Sequence, residues 1–157
     1  MSLTDADPIA LAPLLSLEAD LGPIASVGTT PRGHIRMVSI LGGTFVGREA
    51  RGRILPGGAD WQEVRRDGVL EIRAHYLLEA DDGAIIEVKS EGVRSASAEV
   101  LARIDRGEIV SPRSYYFRTA IRLATASARL ARYNDLLGIS RGERRTSSVL
   151  ISVFEVL

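Results

Sequence analysis

Hydrophobic and polar positions alternate with a period of two along residues 70–91. Every second residue from Leu70 to Leu78 is apolar or aromatic, and most of the residues between them are charged. The pattern resumes after Asp81-Asp82-Gly83, a combination of small polar residues and glycine that is typical of tight hairpin turns. Such alternation predicts an antiparallel hairpin with one buried face and one solvated face. It directs Tyr76 towards the core and His75 towards solvent.

From about Leu14 onward the chain contains further short β-type runs that end at glycine turns. One run ends at Gly42-Gly43, the next at Gly47 and a third at Pro56-Gly57-Gly58, and a last strand is predicted over residues 149–156. Many short strands at regular spacing predict an antiparallel barrel or sandwich. A C-terminal strand of this quality favours a closed barrel, because closure removes exposed strand edges.

Two short helical segments are predicted between the later strands. Ser97 as N-cap and Gly107 after the end frame a helix over residues 98–106, and alanine, leucine and arginine favour a second piece over residues 126–137. The sequence therefore predicts a mainly β protein, a single antiparallel β-barrel over residues 14–157 with one or two short helices. Residues 1–13 are predicted to form a flexible leader.

Composition removes several classes of function. Lys plus Arg and Asp plus Glu both number 20, so the formal net charge of zero gives no overall attraction to nucleic acid or an anionic membrane. Cysteine is absent, which excludes disulfides and thiolate chemistry. His34 and His75 lack further ligands at a metal-binding spacing, and the glycine pairs lack the residues of a phosphate-binding loop. We therefore expect no metal and no cofactor.

The same sequence features indicate the surroundings of the protein. The acidic first residues do not resemble a secretory signal, and no apolar run approaches the roughly 20 residues of a membrane span. We expect a soluble cytoplasmic protein of bacterial type. Leu77 and Ile85 interrupt the otherwise polar outer face of the hairpin, which is compatible with a homodimer or a higher homo-oligomer.

The segment Pro56-Gly57-Gly58-Ala59-Asp60-Trp61 places a carboxylate beside the only tryptophan of the chain, directly after two glycines. Two interpretations of Asp60 stay open. In the first, its side chain accepts backbone N–H groups of a turn and Trp61 plugs the end of a barrel. In the second, the apolar indole raises the pKa of the carboxyl, which suits general acid–base catalysis.

A second candidate lies in "SPRSYYFRTAIRL", which contains three of the few aromatic residues of the chain. Strand alternation puts Tyr116 and Arg118 on one face and Phe117 and Thr119 on the other. A tyrosine hydroxyl beside a guanidinium can polarise a carbonyl or hold a carboxylate. An ordinary aromatic strand with an arginine that reaches solvent explains the same pattern.

The segments "GTTPRGHIRMVSILGGTFVG", "RGRILPGGADWQEV", "DGVLEIRAHYLLEADDGAIIEV" and "YYFRTA", taken in order, resemble the bacterial domain of unknown function family 3237. The resemblance covers nearly the whole chain from Leu14. It implies a small barrel similar to the allene oxide cyclase, dirigent and calycin-like barrels, with an apolar cavity open at one end. Relatives in that wider group tend to cyclise, isomerise or eliminate from hydrophobic substrates without a cofactor, although a fold alone does not fix a function.

Several residues match the pattern of the family, namely Asp60, Trp61, Tyr76, Tyr116, Arg118 and Asn134. The sequence departs from it at Arg73 and His75, where relatives often carry an aspartate and an arginine. In "RLARYNDLLG", Arg132 replaces a more usual tryptophan. If that segment covers the cavity, substrate preference here would differ from that of a typical member.

These observations lead to a working hypothesis of a cofactor-independent lyase, isomerase or cyclase acting on a small hydrophobic, aromatic or carbonyl-bearing molecule. Asp60 would move a proton, and Tyr116 and Arg118 would stabilise negative charge on oxygen. The expected substrate-binding residues are Trp61, Tyr76, Phe117, Asn134 and His75. The alternative is a non-catalytic binding or carrier barrel, in which Arg118 holds an acidic ligand and Asp60 serves the turn.

Overall fold

The computed structural model describes residues 6–157, which form one antiparallel sheet of nine strands. The strands are β1 (Leu11–Thr30), β2 (Gly33–Gly47), β3 (Arg51–Ile54), β4 (Gly58–Val64), β5 (Leu70–Ala80), β6 (Ile85–Ser95), β7 (Tyr116–Thr125), β8 (Gly138–Arg144) and β9 (Ser148–Val156). An α-helix, α1 (Ala98–Asp105), follows β6, and a 3₁₀ helix (Ala128–Asp135) follows β7. Residues 1–5 of the predicted leader lie outside the described residues. Residues 11–13, also within that leader, pair with β9.

The sheet closes on itself, as the sequence predicts. Neighbouring strands run in the order β1-β9-β8-β7-β6-β5, and β2 pairs with β1 to complete the ring. Between β5 and β2, the short strands β3 and β4 lie one after the other and share one position. Closure gives these strands a partner on both sides and leaves two surfaces, an interior and an exterior.

The first two strands are longer than the predicted runs, and the expected chain break at Gly42-Gly43 is wrong. β2 continues through both glycines, with a register shift against β1 where Asp20 pairs with Gly42 and Leu21 with Ile40. Gly43 has φ +129°, and a Cβ there would lie 2.0 Å from the carbonyl oxygen of Glu18. The glycine therefore permits a close approach of two long strands at a bulge, and does not end a strand.

The turn at Pro56-Gly57 moves the chain from β3 to β4. Gly57 has φ +104°, a conformation that favours glycine. Gly58 already pairs with Ile40, so Asp60 and Trp61 belong to a strand and not to the turn itself. Strand geometry therefore decides which way each of these side chains points.

The predicted hairpin and first helix are confirmed. β5 pairs with β6 across the turn at Asp82-Gly83, and the backbone N–H of Ala84 donates to Asp82 Oδ1 at 3.1 Å. The Ser97 hydroxyl accepts from the Val100 backbone N–H at the start of α1. Among residues 6–157, no helix is long and apolar enough to span a membrane.

The two helical segments lie at opposite ends of the barrel, because they follow the antiparallel strands β6 and β7. At the barrel end that the 3₁₀ helix covers, Leu130 and Tyr133 are fully buried and pack into the hydrophobic core. That end is therefore filled by side chains, and the enclosed space lies towards α1.

We expect Leu130→Ala to lower the free energy of unfolding by about 2–4 kcal/mol, because it leaves a cavity where the 3₁₀ helix seals the barrel. Chemical denaturation with urea measures this difference. Leu137→Ala is the matched control, since Leu137 is 55% exposed a few residues further along and should change stability little. Equal losses in both variants would contradict the sealing role of Leu130.

Candidate functional site

A cavity of about 350 Å³ occupies the barrel interior at the α1 end. Its walls are mostly apolar side chains from β1, β2, β5, β7 and β9, among them Leu17, Val38, Ile40, Ile72, Phe117 and Ile151. The last turn of α1 and Thr146, between β8 and β9, border the same space. A cavity of this size, with apolar walls and a few polar groups, is typical of a small-molecule site.

Asp60 is one of the polar groups that line the cavity. Alternation along β4 sends Asp60 and Gln62 inward, while Trp61 between them is 53% exposed on the outer surface. The Gln62 side-chain amide donates to Asp60 Oδ2 at 2.6 Å. The other oxygen, Oδ1, is inaccessible to solvent and accepts no well-formed hydrogen bond from residues 6–157. The carboxyl is therefore held by one side chain and keeps an unused acceptor within the barrel.

Burial raises the pKa of the Asp60 carboxyl from 3.8 to about 6. The Gln62 hydrogen bond, the backbone N–H of Arg73 and the positive charges of Arg94 and Arg36 act in the opposite direction, and each is a smaller effect than burial. A carboxyl with this pKa exchanges protons near neutral pH, which is the property that a general acid or base requires.

Tyr76 lines the same cavity from β5 and is 6% exposed. Burial, and then the nearby charge of Asp60, raise the pKa of its phenol above the ordinary value. The hydroxyl therefore stays protonated at neutral pH and can donate a hydrogen bond. A Cβ on Gly58 would lie 2.4 Å from Tyr76 Cβ, so the glycine allows β4 to pack closely against this tyrosine.

Arginines form another polar part of the wall. Arg94 of β6 is 5% exposed, and Arg36 of β2 and Arg144 of β8 are partly buried. Arg36 Nε donates to Gln62 Oε1 at 2.7 Å, which links this arginine through Gln62 to Asp60. A fourth arginine at the cavity, Arg106, is exposed and pairs with Glu108 at 2.8 Å.

Two buried hydroxyls complete the lining. Ser90 Oγ donates to Thr119 Oγ1 at 2.8 Å, and Thr119 Oγ1 lies 2.6 Å from Ser140 Oγ. Ser90 and Thr119 both contribute to the cavity wall. This chain of hydroxyls runs across β6, β7 and β8 and satisfies polar groups that the interior would otherwise leave unpaired.

Tyr116 and Arg118, which the sequence predicts to act with Asp60 in catalysis, do not line the cavity. Tyr116 is 53% exposed, and the Arg118 guanidinium lies over its ring on the outer surface, 5.1 Å from the centroid. The other face of the strand, with Phe117 and Thr119, points into the cavity. The alternation within β7 was predicted, but its orientation relative to the barrel was reversed, so we assign no catalytic role to Tyr116 or Arg118.

Other expected binding residues also lie away from the cavity. His75 is exposed and its Nε2 lies 2.9 Å from Glu87 Oε2 on the outer face. Asn134 binds the backbone of Thr125 through both side-chain groups, which fixes the 3₁₀ helix to β7. Of the expected substrate-binding set, the cavity contains Tyr76 and Phe117.

The segment around Arg132 does not cover the cavity. Arg132 pairs with Glu155 at 2.6 Å and with Glu49 at 2.7 Å, and Arg48 also pairs with Glu155. These contacts hold the 3₁₀ helix against the filled end of the barrel. The departure from the family pattern at this position therefore concerns the barrel end and not the cavity wall.

Sequence reasoning missed Gln62 and the inward arginines. The signal for Arg94 was present, because the alternation of Ile86, Val88 and Ser90 extends through Gly92 to Arg94. Gln62 likewise follows Asp60 by two positions. For Arg36 and Arg144 no comparable signal exists, because their strands carry polar residues on both faces.

Comparisons with known proteins agree with this architecture. Residues 9–156 match the family described as protein of unknown function (DUF3237). The protein RPA1785 of Rhodopseudomonas palustris is 35% identical over 144 residues, 92% of this chain and 94% of that protein. Its crystal structure has a TM-score of 0.92 and covers 97% of this chain and 99% of that one.

Two further structures extend the comparison. A β-barrel like protein from Acinetobacter baumannii is 36% identical, with a TM-score of 0.84 over 98% of this chain and 99% of that one. An enzyme from Penicillium herquei is 18% identical, with a TM-score of 0.74 over 97% of each chain. At this low identity the last comparison shows the fold alone.

We expect Asp60→Asn to stabilise the protein at pH 8 by about 2–3 kcal/mol, because the folded state no longer has to hold a desolvated carboxylate. The folded pKa of about 6 lies above the ordinary 3.8, so the wild type is penalised progressively as pH rises between these values. The difference between variant and wild type should therefore vanish near pH 4 and be complete above pH 7. Urea denaturation at several pH values measures it.

Asp20→Asn is the matched control, since Asp20 is exposed on β1 and its neutralisation should leave this pH dependence unchanged. An Asp60→Asn variant less stable than the wild type at pH 8 would show that the charged carboxylate supports the fold.

Proposed function

The chain belongs to the DUF3237 family of proteins of unknown function, and from the polar groups inside its barrel we propose that it is a cofactor-independent enzyme of lyase or isomerase type. Its substrate is a small hydrophobic molecule that carries a carbonyl group. The reaction proceeds by acid–base chemistry in the cavity between Asp60, Tyr76 and the inward arginines.

The desolvated Asp60 carboxyl is the observation that carries this proposal. A carboxylate that served only a turn would be satisfied by several backbone N–H groups. Asp60 instead lies on a strand, the backbone N–H of Arg73 is the one such group that acts on its carboxyl, and its Oδ1 accepts no well-formed hydrogen bond from residues 6–157. Unpaired buried polar groups are costly to stability, and they are found preferentially where function requires them. The pKa of about 6 supports the role of a general base at neutral pH.

The neighbouring groups support a complete proton-transfer cycle. Asp60 removes a proton from the carbon next to the substrate carbonyl, and the electron pair moves to the carbonyl oxygen as an enolate. The neutral hydroxyl of Tyr76 donates to that oxygen, and the positive charge of the inward arginines stabilises the developing negative charge. Protonated Asp60 then returns the proton, either to another carbon in an isomerisation or to a leaving group in an elimination. The apolar walls limit access of water during these steps.

A non-catalytic carrier would use the same cavity. The barrel of the Penicillium herquei enzyme supports the view that this fold is compatible with catalysis, and says nothing of the reaction here. A carrier gains nothing from a desolvated acid with a pKa near neutrality, so the environment of Asp60 favours the enzyme.

We expect the protein to accelerate exchange of solvent deuterium into the α-carbon of aryl ketones such as 1-tetralone and propiophenone. Proton abstraction by Asp60 has to precede this exchange. Mass spectrometry of the recovered ketone measures the deuterium that it has taken up. The rate should fall by about 10²–10⁴-fold in Asp60→Asn. It should also rise with pH through the pKa of about 6 and reach a plateau above about pH 7, because the ionised carboxylate is the base.

Asp20→Asn serves again as the control and should exchange like the wild type, because Asp20 lies on the exterior. Tyr76→Phe should bind the ketone but lose most of the acceleration, since only the hydrogen bond to the enolate oxygen is removed. Ketones that bind to the wild type without faster exchange than in Asp60→Asn would instead establish the carrier function.

A further inference from the structure

We propose that the arginine side of this cavity is a binding subsite for one carboxylate group, so that the substrate is an apolar organic acid anion. The inference deepens the proposed function, because it names the substrate class of the same cavity. Binding of a carboxylate does not require the proton-transfer step, so each proposal can fail without the other.

Arg94 provides the strongest argument. Its side chain is 6% exposed, and its Nε has no hydrogen-bond partner among the residues that the structure describes. The nearest carboxylate is Asp105 of α1, whose Oδ1 lies 3.9 Å from Arg94 Nη2, beyond hydrogen-bond distance. Burial lowers the pKa of Arg94 to about 10, which still leaves the guanidinium charged at neutral pH. A buried charge with unused donors is costly unless an anion of matching geometry occupies the site.

The adjacent arginines increase the local positive charge. Arg36 Nη2 lies 4.0 Å from the same Asp105 oxygen, so both guanidiniums share this carboxylate, which is 57% exposed. The other carboxyl whose charge interacts with Arg36 and Arg94 in the cavity is the buried Asp60. The charges of Arg36 and Arg144 lower the pKa of Arg94 further, after the effect of burial. Within residues 6–157, the protein therefore brings three cations together with less negative charge than is needed to balance them.

The pattern of occupied donors favours a carboxylate. Arg36 Nε already donates to Gln62, and Arg144 Nη1 donates to the Ser148 carbonyl at 2.7 Å. Arg94 Nε has no partner within residues 6–157, and its Nη2 lies beyond hydrogen-bond distance of Asp105. Two N–H groups on one side of a planar guanidinium match the two oxygens of a carboxylate. The apolar walls beyond it would accommodate a hydrocarbon or aromatic body.

Binding of benzoate and of its neutral counterpart benzamide tests the proposal by titration calorimetry at pH 8 and low salt. Both probes are small compared with a cavity of about 350 Å³, so their shape does not exclude them. We expect benzoate to bind in the millimolar range or more tightly, and at least about tenfold more tightly than benzamide. Arg94→Gln should remove this preference and leave the affinity for benzamide unchanged.

Arg122→Gln is the matched control, since Arg122 is exposed on the outer face of β7 and its loss should change neither affinity. Arg94→Lys keeps the charge but not the planar fork, and should retain only part of the preference. If Arg94→Gln does not fold, Arg36→Gln takes its place, with a smaller loss of preference expected because Arg36 is already partly engaged.

Three results would overturn the proposal. These are equal affinity for benzoate and benzamide, a preference that persists in folded Arg94→Gln, and tight binding of phenyl phosphate without binding of benzoate. Ketone exchange that depends on Asp60, together with no preference for benzoate, would refute the subsite alone. Selective benzoate binding without exchange of any ketone would refute the enzymatic function alone.

Discussion

Closure of the sheet is the constraint on which the rest of this structure depends. A closed antiparallel barrel sends every second side chain of each strand inward, so the interior receives whatever the sequence carries at those positions. At the barrel end covered by the 3₁₀ helix, the interior is filled by large side chains, including Leu130 and Tyr133 of that helix. At the α1 end, the inward positions include Asp60 and Arg94, and the interior stays open there. The barrel thus divides into a stabilising half and a half available for a ligand.

The open half contains charges that work against folding. Burial raises the pKa of Asp60 and lowers that of Arg94, so for both groups the interior disfavours the charged form. Replacement by apolar residues of similar volume would often stabilise such a site. The filled half offsets this cost with a continuous core and with the ion pairs of Glu155 and Arg132 at its edge. Buried charged groups that lower stability, placed at one end of a well-packed protein, are typical of functional sites.

Much of the fold could be predicted from sequence because local signals were strong. The alternation of β5 and β6, the cap at Ser97 and the turn at Asp82-Gly83 each depend on neighbours in the chain, and the structure contains all three. The continuous β2 was not predicted, because the glycines at 42–43 serve a close approach to β1, a partner that local reasoning does not identify. Glycine marks both a turn and a close contact, and only tertiary structure separates the two.

The candidate site was only partly predictable for a related reason. Alternation divides a strand into two faces, but it does not say which face of an amphipathic strand points inward when both carry aromatic and charged residues. β7 presents Tyr116 and Arg118 on one face and Phe117 and Thr119 on the other, and the choice between them depends on register with β6 and β8. β6 was easier, since Ile86 and Val88 fix its inner face and Arg94 lies on that same face. Arg94 was missed because the buried position of a charged residue runs against the ordinary preference for apolar residues inside.

The two proposed roles of the cavity constrain each other through electrostatics. The positive charge of Arg94 lowers the pKa of Asp60, in opposition to burial, and so favours the ionised base while the cavity holds no anion. A substrate carboxylate bound to Arg94 would neutralise that charge and shift the pKa of Asp60 upward. The Asp60 carboxylate would then be a stronger base. The same substrate would place its reacting carbon in the apolar part of the cavity, beyond the group that anchors it. Recognition of the acid group would therefore increase the basicity of Asp60 only when the correct class of molecule is in place.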